Sequence, residues 1–252
     1  MAQAVLGIDI GGSFIKFAPV DVNRGETLSE PAQIDPPQPA TPEKLSAAIR
    51  SIMKSLKWSG PIGVGYPGVV KHGRTMSAAH MDSSFIGHDW LRDLRELTKK
   101  PIGLINDADA AGLAEVHFGA ARDYSSRESG TVLVVTLGTG IGTALFVGGR
   151  LLPNTEFGHM SMGEREAEQC AAASVRIKNN LDWPDFGQRV NLFLREMDRL
   201  LSPDLIVIGG GISENFGKFR AHIKVACPVV AAQLGNRAGL IGAALAVDMI
   251  SL

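Results

Sequence analysis

Cysteine is scarce in this chain. Its 252 residues contain two, Cys170 and Cys227, too few and too far apart for a disulfide framework or a metal-spaced set. Charge of one sign is also missing. The formal net charge of −1 gives no general attraction to nucleic acid, so a polyanion would have to be met by a local patch. No apolar run reaches membrane-spanning length, and no basic leader with an apolar core precedes the first strand. These absences lead to the expectation of a cytoplasmic α/β protein without membrane or nucleic-acid partners. What the chain does have is glycine, 29 residues of it, in a composition that is 45% hydrophobic. Its length allows one large domain or two smaller ones.

The glycines cluster at strand ends. Val5–Ile10 is an apolar run that stops at Gly11-Gly12-Ser13, and a second run with Lys16 leaves the turn. Two strands joined through glycines can present backbone amides to an anion, because no Cβ stands in front of them. Asp9 just before such a nest makes sense if a divalent cation or a water lies between carboxylate and phosphate. Read alone, the stretch is equally an ordinary hairpin with a solvated Asp. The pattern returns at Thr131–Leu137, which enters Gly138-Thr139-Gly140 before Thr143–Val147, and a third cluster, Gly209-Gly210-Gly211, follows Leu205–Ile208. Repetition of this kind points to a duplicated architecture with phosphate loops facing a cleft.

Between these clusters, Thr27 to Ile34 reads as a strand. Thr41-Pro42 opens an amphipathic helix over 42–57, and Pro61 to Tyr66 is a strand ending at Pro67-Gly68. Ile102–Ile105 is a buried strand that delivers Asn106 and Asp107 to its carboxyl end as a helix begins, the edge where α/β sheets bind ligands. Either residue could cap that helix. One cap is enough, which leaves a carboxylate for chemistry. Glu156-Phe157-Gly158-His159 sits on a loop and offers an acceptor and a switchable donor for hydroxyl groups. Arg165–Lys178 reads as one helix, as do a long stretch after Asp182, one after Gly211, and the small-residue-rich Leu240–Ile250, which should pack tightly on the sheet.

Together these segments resemble the ROK group of sugar kinases, within the actin, hsp70 and hexokinase (ribonuclease H-like) superfamily. Asp9, Gly11, Gly12, Ser13 and Lys16 are similar to the first phosphate motif, Gly138, Thr139 and Gly140 to the second, and Gly209, Gly210 and Gly211 to the nucleoside-side motif. The resemblance implies that Asp107 is the general base, and that Asn106, Glu156, His159, Gly68 and a Glu near 168 hold the sugar. Glu168 is the choice for that Glu, with Glu164 and Glu166 as neighbours. The resemblance further implies Mg²⁺ reached through Asp9, a homodimer, and a duplicated two-domain fold with a cleft, here 1–110 and 111–252 with the last helix packing back on the first domain.

The chain departs from most of that family after His159, where no cysteine-rich zinc loop follows and isolated Cys170 cannot build a thiolate site. This is similar to the polyphosphate-dependent branch, although His80 and Phe85 stand where that branch would have Asn and Trp. The implied reaction is phosphoryl transfer from inorganic polyphosphate to the 6-hydroxyl of glucose, with acceptance of mannose beside glucose left open. The alternatives are ATP as donor in an ordinary ROK hexose kinase, or a sugar-binding protein without catalysis. A repressor of this family would need a helix-turn-helix domain ahead of the first motif, and only four residues precede Val5. Arg122, Arg165, Arg176, Lys178 and Arg189 are the candidate cations for a polyphosphate groove.

Overall fold

The computed structural model describes residues 4–78, 81–124 and 130–249, so His80 lies outside it. Packing separates two units, Met1–Ala114 with Arg237–Leu252, and Glu115–Asn236. No helix among the described residues is long and apolar enough to cross a membrane.

In the first unit β1 (Ala4–Ile10) turns back antiparallel into β2 (Ile15–Asp21), with Asp9 opposite Lys16. β3 (Ile62–Tyr66) and β4 (Ile102–Asn106) then run parallel to β1, in the order β2-β1-β3-β4. Parallel neighbours need crossovers, which carry α1 (Pro42–Ser55) and α2 (Trp90–Thr98). The Thr41 side chain accepts from the Lys44 amide at the start of α1, and Leu45, Ile49 and Ile52 recur on its buried face. Against them pack Leu6, Ile8, Ile10 and Val64. Tyr66, Phe85 and Trp90 close this core as a ring cluster with centroids 5.0–5.8 Å apart. Phe85 is therefore a core residue. The expected strand over 27–34 splits into Glu26–Thr27 and Ala32–Ile34, both on β2, with Pro31, which has no N–H to give a ladder, between them.

The other face of the sheet carries Gly7, Gly63 and Gly103, level with one another across β1, β3 and β4. The closing helix, Ala238–Met249, lies directly on this row. A Cβ at Gly7 or Gly63 would overlap the carbonyl of Leu240 or Ala243, and one at Gly103 would come within 2.7 Å of the Ala246 backbone. Gly242 of the helix makes the same close approach to Ala110 in α3 (Asp107–Phe118).

The second unit repeats the plan. β5 (Thr131–Leu137) and β6 (Ile141–Val147) are antiparallel, and β7 (Leu205–Gly209) and β8 (Val229–Ala231) run parallel to β5, in the order β6-β5-β7-β8. Residues 165–178 are not one helix. Arg165–Glu166 pairs with Ser161–Met162, and α4 (Ala167–Ala171) and α5 (Ala173–Lys178) are broken by Ala172 at ψ 155°. The break follows from the Ser174 amide, which donates to Gly138 O at 3.0 Å instead of continuing the helical ladder. α6 (Trp183–Leu201), capped by Asp182, covers the sheet with Phe186, Val190, Phe193 and Met197. After Gly211 the chain forms 3₁₀ turns around the short helix Phe216–Phe219 rather than one continuous helix. The buried Glu115 carboxylate accepts from the amides of Ala120, Gln233 and Leu234 at 2.8, 3.1 and 2.8 Å.

The glycine row yields a stability test. Gly63→Ala forces its Cβ into the closing helix, and overpacking of this kind costs about 1–3 kcal/mol or more. Thermal unfolding should show a clear drop in Tm, whereas Gly138→Ala, whose Cβ would meet nothing within 4 Å, should leave Tm nearly unchanged.

Candidate active site

Parallel strands end on the same edge, and that edge gathers the polar residues of the first unit. Asp9 of β1 is level with Gly65 of β3, which is level with Ile105 of β4, and Asp107 follows two residues later. A Cβ at Gly65 would lie 3.5 Å from Asp9 Oδ1 and 3.8 Å from Asp107 Cα. The two carboxylates thus flank a position that has no side chain. Asp9 also faces the start of the closing helix, where a Cβ on Gly239 would reach within 2.5 Å of its Oδ2. Burial pushes the Asp9 carboxyl above its ordinary range, and Lys16 across the ladder pulls it partly back.

The first turn is tighter than a nest of left-handed glycines. The Gly11 amide donates to Phe14 O at 2.9 Å, and neither Gly11 nor Gly12 has positive φ. In this turn the amides of Gly12 and Ser13 have no protein acceptor among the described residues. Asn106 proves to be the helix cap: its Oδ1 accepts from the Asp109 amide at 2.9 Å while its Nδ2 donates to Gly68 O at 3.1 Å. Asp107 Oδ1 accepts from the Ala108 amide at 2.8 Å. Gly68 therefore orients Asn106 through its carbonyl.

In the second unit the Gly138 amide donates to Gly140 O at 3.0 Å. The loop is braced by Ser174, whose amide holds the Gly138 carbonyl and whose Oγ donates to Thr139 O at 2.6 Å. Nothing stands within 4 Å of a Cβ on Gly138, and the amides of Thr139 and Gly140 have no protein acceptor among the described residues. On the neighbouring strand Gly209 is level with Thr136. Gly210 follows at φ 78°, where a Cβ would come within 2.5 Å of Leu137 O, and Gly211 is open. Glycine at 210 is required both by the left-handed backbone and by the lack of room.

Glu156 and His159 hang from β6. Buried Thr143 donates to Thr155 O at 2.7 Å and accepts from the Phe157 amide at 3.2 Å, while Gly158 lies against the Ile141 carbonyl. His159 Nδ1 is 3.0 Å from Glu166 and 3.9 Å from Glu168, and its Nε2 is 3.8 Å from Glu156. Glu168 Oε2 accepts from the Ile141 amide at 3.4 Å, so Glu168 links His159 to the glycine loop. Glu164 is exposed on the hairpin turn. Ligand-type atoms of His159, Glu166 and Glu168 lie within 4.8 Å of one another. The hydrogen bond to Glu166 raises the His159 pKa, against partial burial and with help from Glu168 and Glu156. Burial raises that of Glu156. Sequence reasoning passed over Ser174, which carries no local signal. It also passed over Thr143, whose hydroxyl in an otherwise apolar strand was a usable one.

The chain matches the profile of the ROK family over residues 5–174. It is 43% identical to polyphosphate glucokinase of Mycobacterium tuberculosis over 242 residues, covering 95% of this chain and 89% of that protein. It is 26% identical to glucokinase of Streptomyces coelicolor, covering 95% and 96%. Among solved structures, inorganic polyphosphate/ATP-glucomannokinase from Arthrobacter sp. strain KM superposes with a TM-score of 0.91 at 38% identity, covering 98% of this chain and 99% of that one. A glucokinase from Streptomyces griseus superposes at 0.80 and 23%, covering 97% and 99%.

The His159 cluster predicts a pH dependence. The fold favours the protonated ring, so His159 adds stability below its unfolded value of about 6.5 and loses that contribution as pH rises through its higher folded value. Titration of the His159 ring followed by NMR should give a midpoint above 6.5, and Glu166→Gln should move it down. An unshifted midpoint in the variant would remove Glu166 as the cause.

Proposed function

Because the chain belongs to the ROK family, we propose that it transfers the terminal phosphoryl group of inorganic polyphosphate to the 6-hydroxyl of glucose, giving glucose 6-phosphate. Its fold is the duplicated actin, hsp70 and hexokinase-like α/β fold of ROK sugar kinases. The observation that carries the reading is 43% identity to a polyphosphate glucokinase along 95% of the chain. ATP as a second donor and mannose as a second acceptor are supported by the name of the Arthrobacter enzyme.

In this reading Asp107 accepts the proton of the sugar hydroxyl as its oxygen attacks the terminal phosphorus. The bond to the next phosphate breaks, and a polyphosphate one unit shorter leaves. Tight anchoring of Asp107 on the first turn of α3 keeps the base in place. The amides of Gly12 and Ser13 in the first unit, and those of Thr139 and Gly140 in the second, are donors for phosphoryl oxygens. Glu156 and His159 serve sugar hydroxyls, with Glu166 holding the His159 ring. Asn106 retains one N–H of its amide for the sugar after capping α3.

A single half-buried carboxylate beside a glycine turn fits Mg²⁺, which takes one or two carboxylates together with phosphate oxygens and waters. Asp9 would hold the ion, which when bound neutralises charge on the transferred group.

Initial rates of glucose phosphorylation with polyphosphate and with ATP test the reading, and a higher kcat/KM is expected for polyphosphate. Turnover with ATP and none with polyphosphate would overturn it. Asp107→Asn should lower kcat by about two to four orders of magnitude while glucose KM changes little. A variant retaining more than about a tenth of wild-type kcat would remove Asp107 from the role of base.

A further inference from the structure

Beside the second glycine loop the second unit contains a cavity of about 480 Å³, walled by Thr139, Arg165, Glu168, Ser174, Lys178 and Asn179. We propose that this cavity is the path of the polyphosphate chain beyond the phosphate being transferred, with Arg165 and Lys178 as its binding cations. The inference rests on the donor proposed above and assigns it a place.

Four observations support it. The cavity starts at Thr139, whose amide is unspent and whose carbonyl is pinned by Ser174 Oγ at 2.6 Å, so a phosphate seated on the loop would be continuous with the cavity. Arg165 and Lys178 are exposed and form no ion pair among the described residues, which leaves their charge for a ligand. The other basic residues nearby in sequence are already engaged. Arg176 lies 3.7 Å over the Trp183 ring, and Arg189 donates to Cys170 O at 3.4 Å. The walls hold hydroxyls, amides and the side chain of Val175, but no aromatic ring. A nucleoside gains affinity by stacking on aromatic rings. A bare chain of phosphates needs cations and hydrogen-bond donors, and this cavity has both, in Arg165, Lys178, Gln169, Asn179 and the hydroxyls of Thr139 and Ser174.

The one opposing charge, Glu168, is turned toward the protein. Its Oε2 accepts from the Ile141 amide and its Oε1 stands 3.9 Å from His159 Nδ1. On a chain of net charge −1, attraction for a polyanion has to come from local cations of this kind.

The test uses the full chain as wild type and as the Arg165→Gln/Lys178→Gln double variant, with circular dichroism to confirm folding. Glucose phosphorylation is followed with long-chain polyphosphate and with tripolyphosphate over a range of salt. The expected result is a loss of kcat/KM for the long chain that exceeds the loss for tripolyphosphate about tenfold or more. The salt dependence of the long chain should also become shallower by roughly two contacts' worth, as counterion release requires. Equal losses for both donors, or an unchanged salt slope, would overturn the assignment. Absence of polyphosphate turnover in the wild type would instead overturn the proposed donor, a result distinguishable because it precedes any substitution.

Discussion

Close contact between backbones fixes where the closing helix lies on the first unit's sheet. The closing helix can lie where it does because Gly7, Gly63 and Gly103 present no side chains beneath it, and its own Gly242 does the same toward α3. Interiors are close-packed and leave little room for a methyl group. This one contact also sets the position of Gly239, and with it the space in which the Asp9 carboxylate stands. The chemistry at the end of β1 thus depends on residues more than two hundred positions away. Asp9 is constrained from two sides, by Lys16 along the ladder and by the helix start behind it.

The second unit solves a different problem, that of holding a loop and a titratable ring through polar contacts. Ser174 binds two successive loop carbonyls, Thr143 and Thr155 lock the approach to Glu156, and Glu168 connects the ring of His159 to the amide of Ile141. The Thr143–Thr155 bonds, at 2.7 and 2.8 Å, are partly buried, where hydrogen bonds are strengthened and a missing partner is costly. After His159 this chain has a hairpin of two-residue strands whose Glu166 takes hold of the imidazole directly.

Much of this was legible in the sequence. The strand-glycine-strand pattern written twice corresponds to β1-β2 and β5-β6, and the small residues of the closing helix foretold close packing. The helices α1 and α6 announced themselves through Thr41-Pro42, Asp182 and regular apolar spacing. The misreadings have separate causes. Arg165–Lys178 has the composition of a helix, but the Ser174 amide is claimed by Gly138, thirty-six positions earlier, and local propensity yields to that long-range bond. The turn at Gly11-Gly12 suggested left-handed glycines, whereas a hydrogen bond to Phe14 closes it with ordinary φ values. Asn106 and Asp107 were indistinguishable as caps until the positions of Asp109 and Gly68 decided between them. Glu115 gave no warning at all, since its three partners lie on segments distant in sequence or in an unremarkable turn.

The discontinuity of the first unit has a consequence for biosynthesis. Residues 115–236 form an uninterrupted unit, while the first unit needs Arg237–Leu252 to complete it. Domains fold as units while the ribosome is still at work. β1 is made long before the helix that covers it, and the glycine row of β1, β3 and β4 stays uncovered until that helix has been made. The second unit can fold during that interval. The face of β1, β3 and β4 that carries Gly7, Gly63 and Gly103 is therefore covered only by a segment made after the whole second unit.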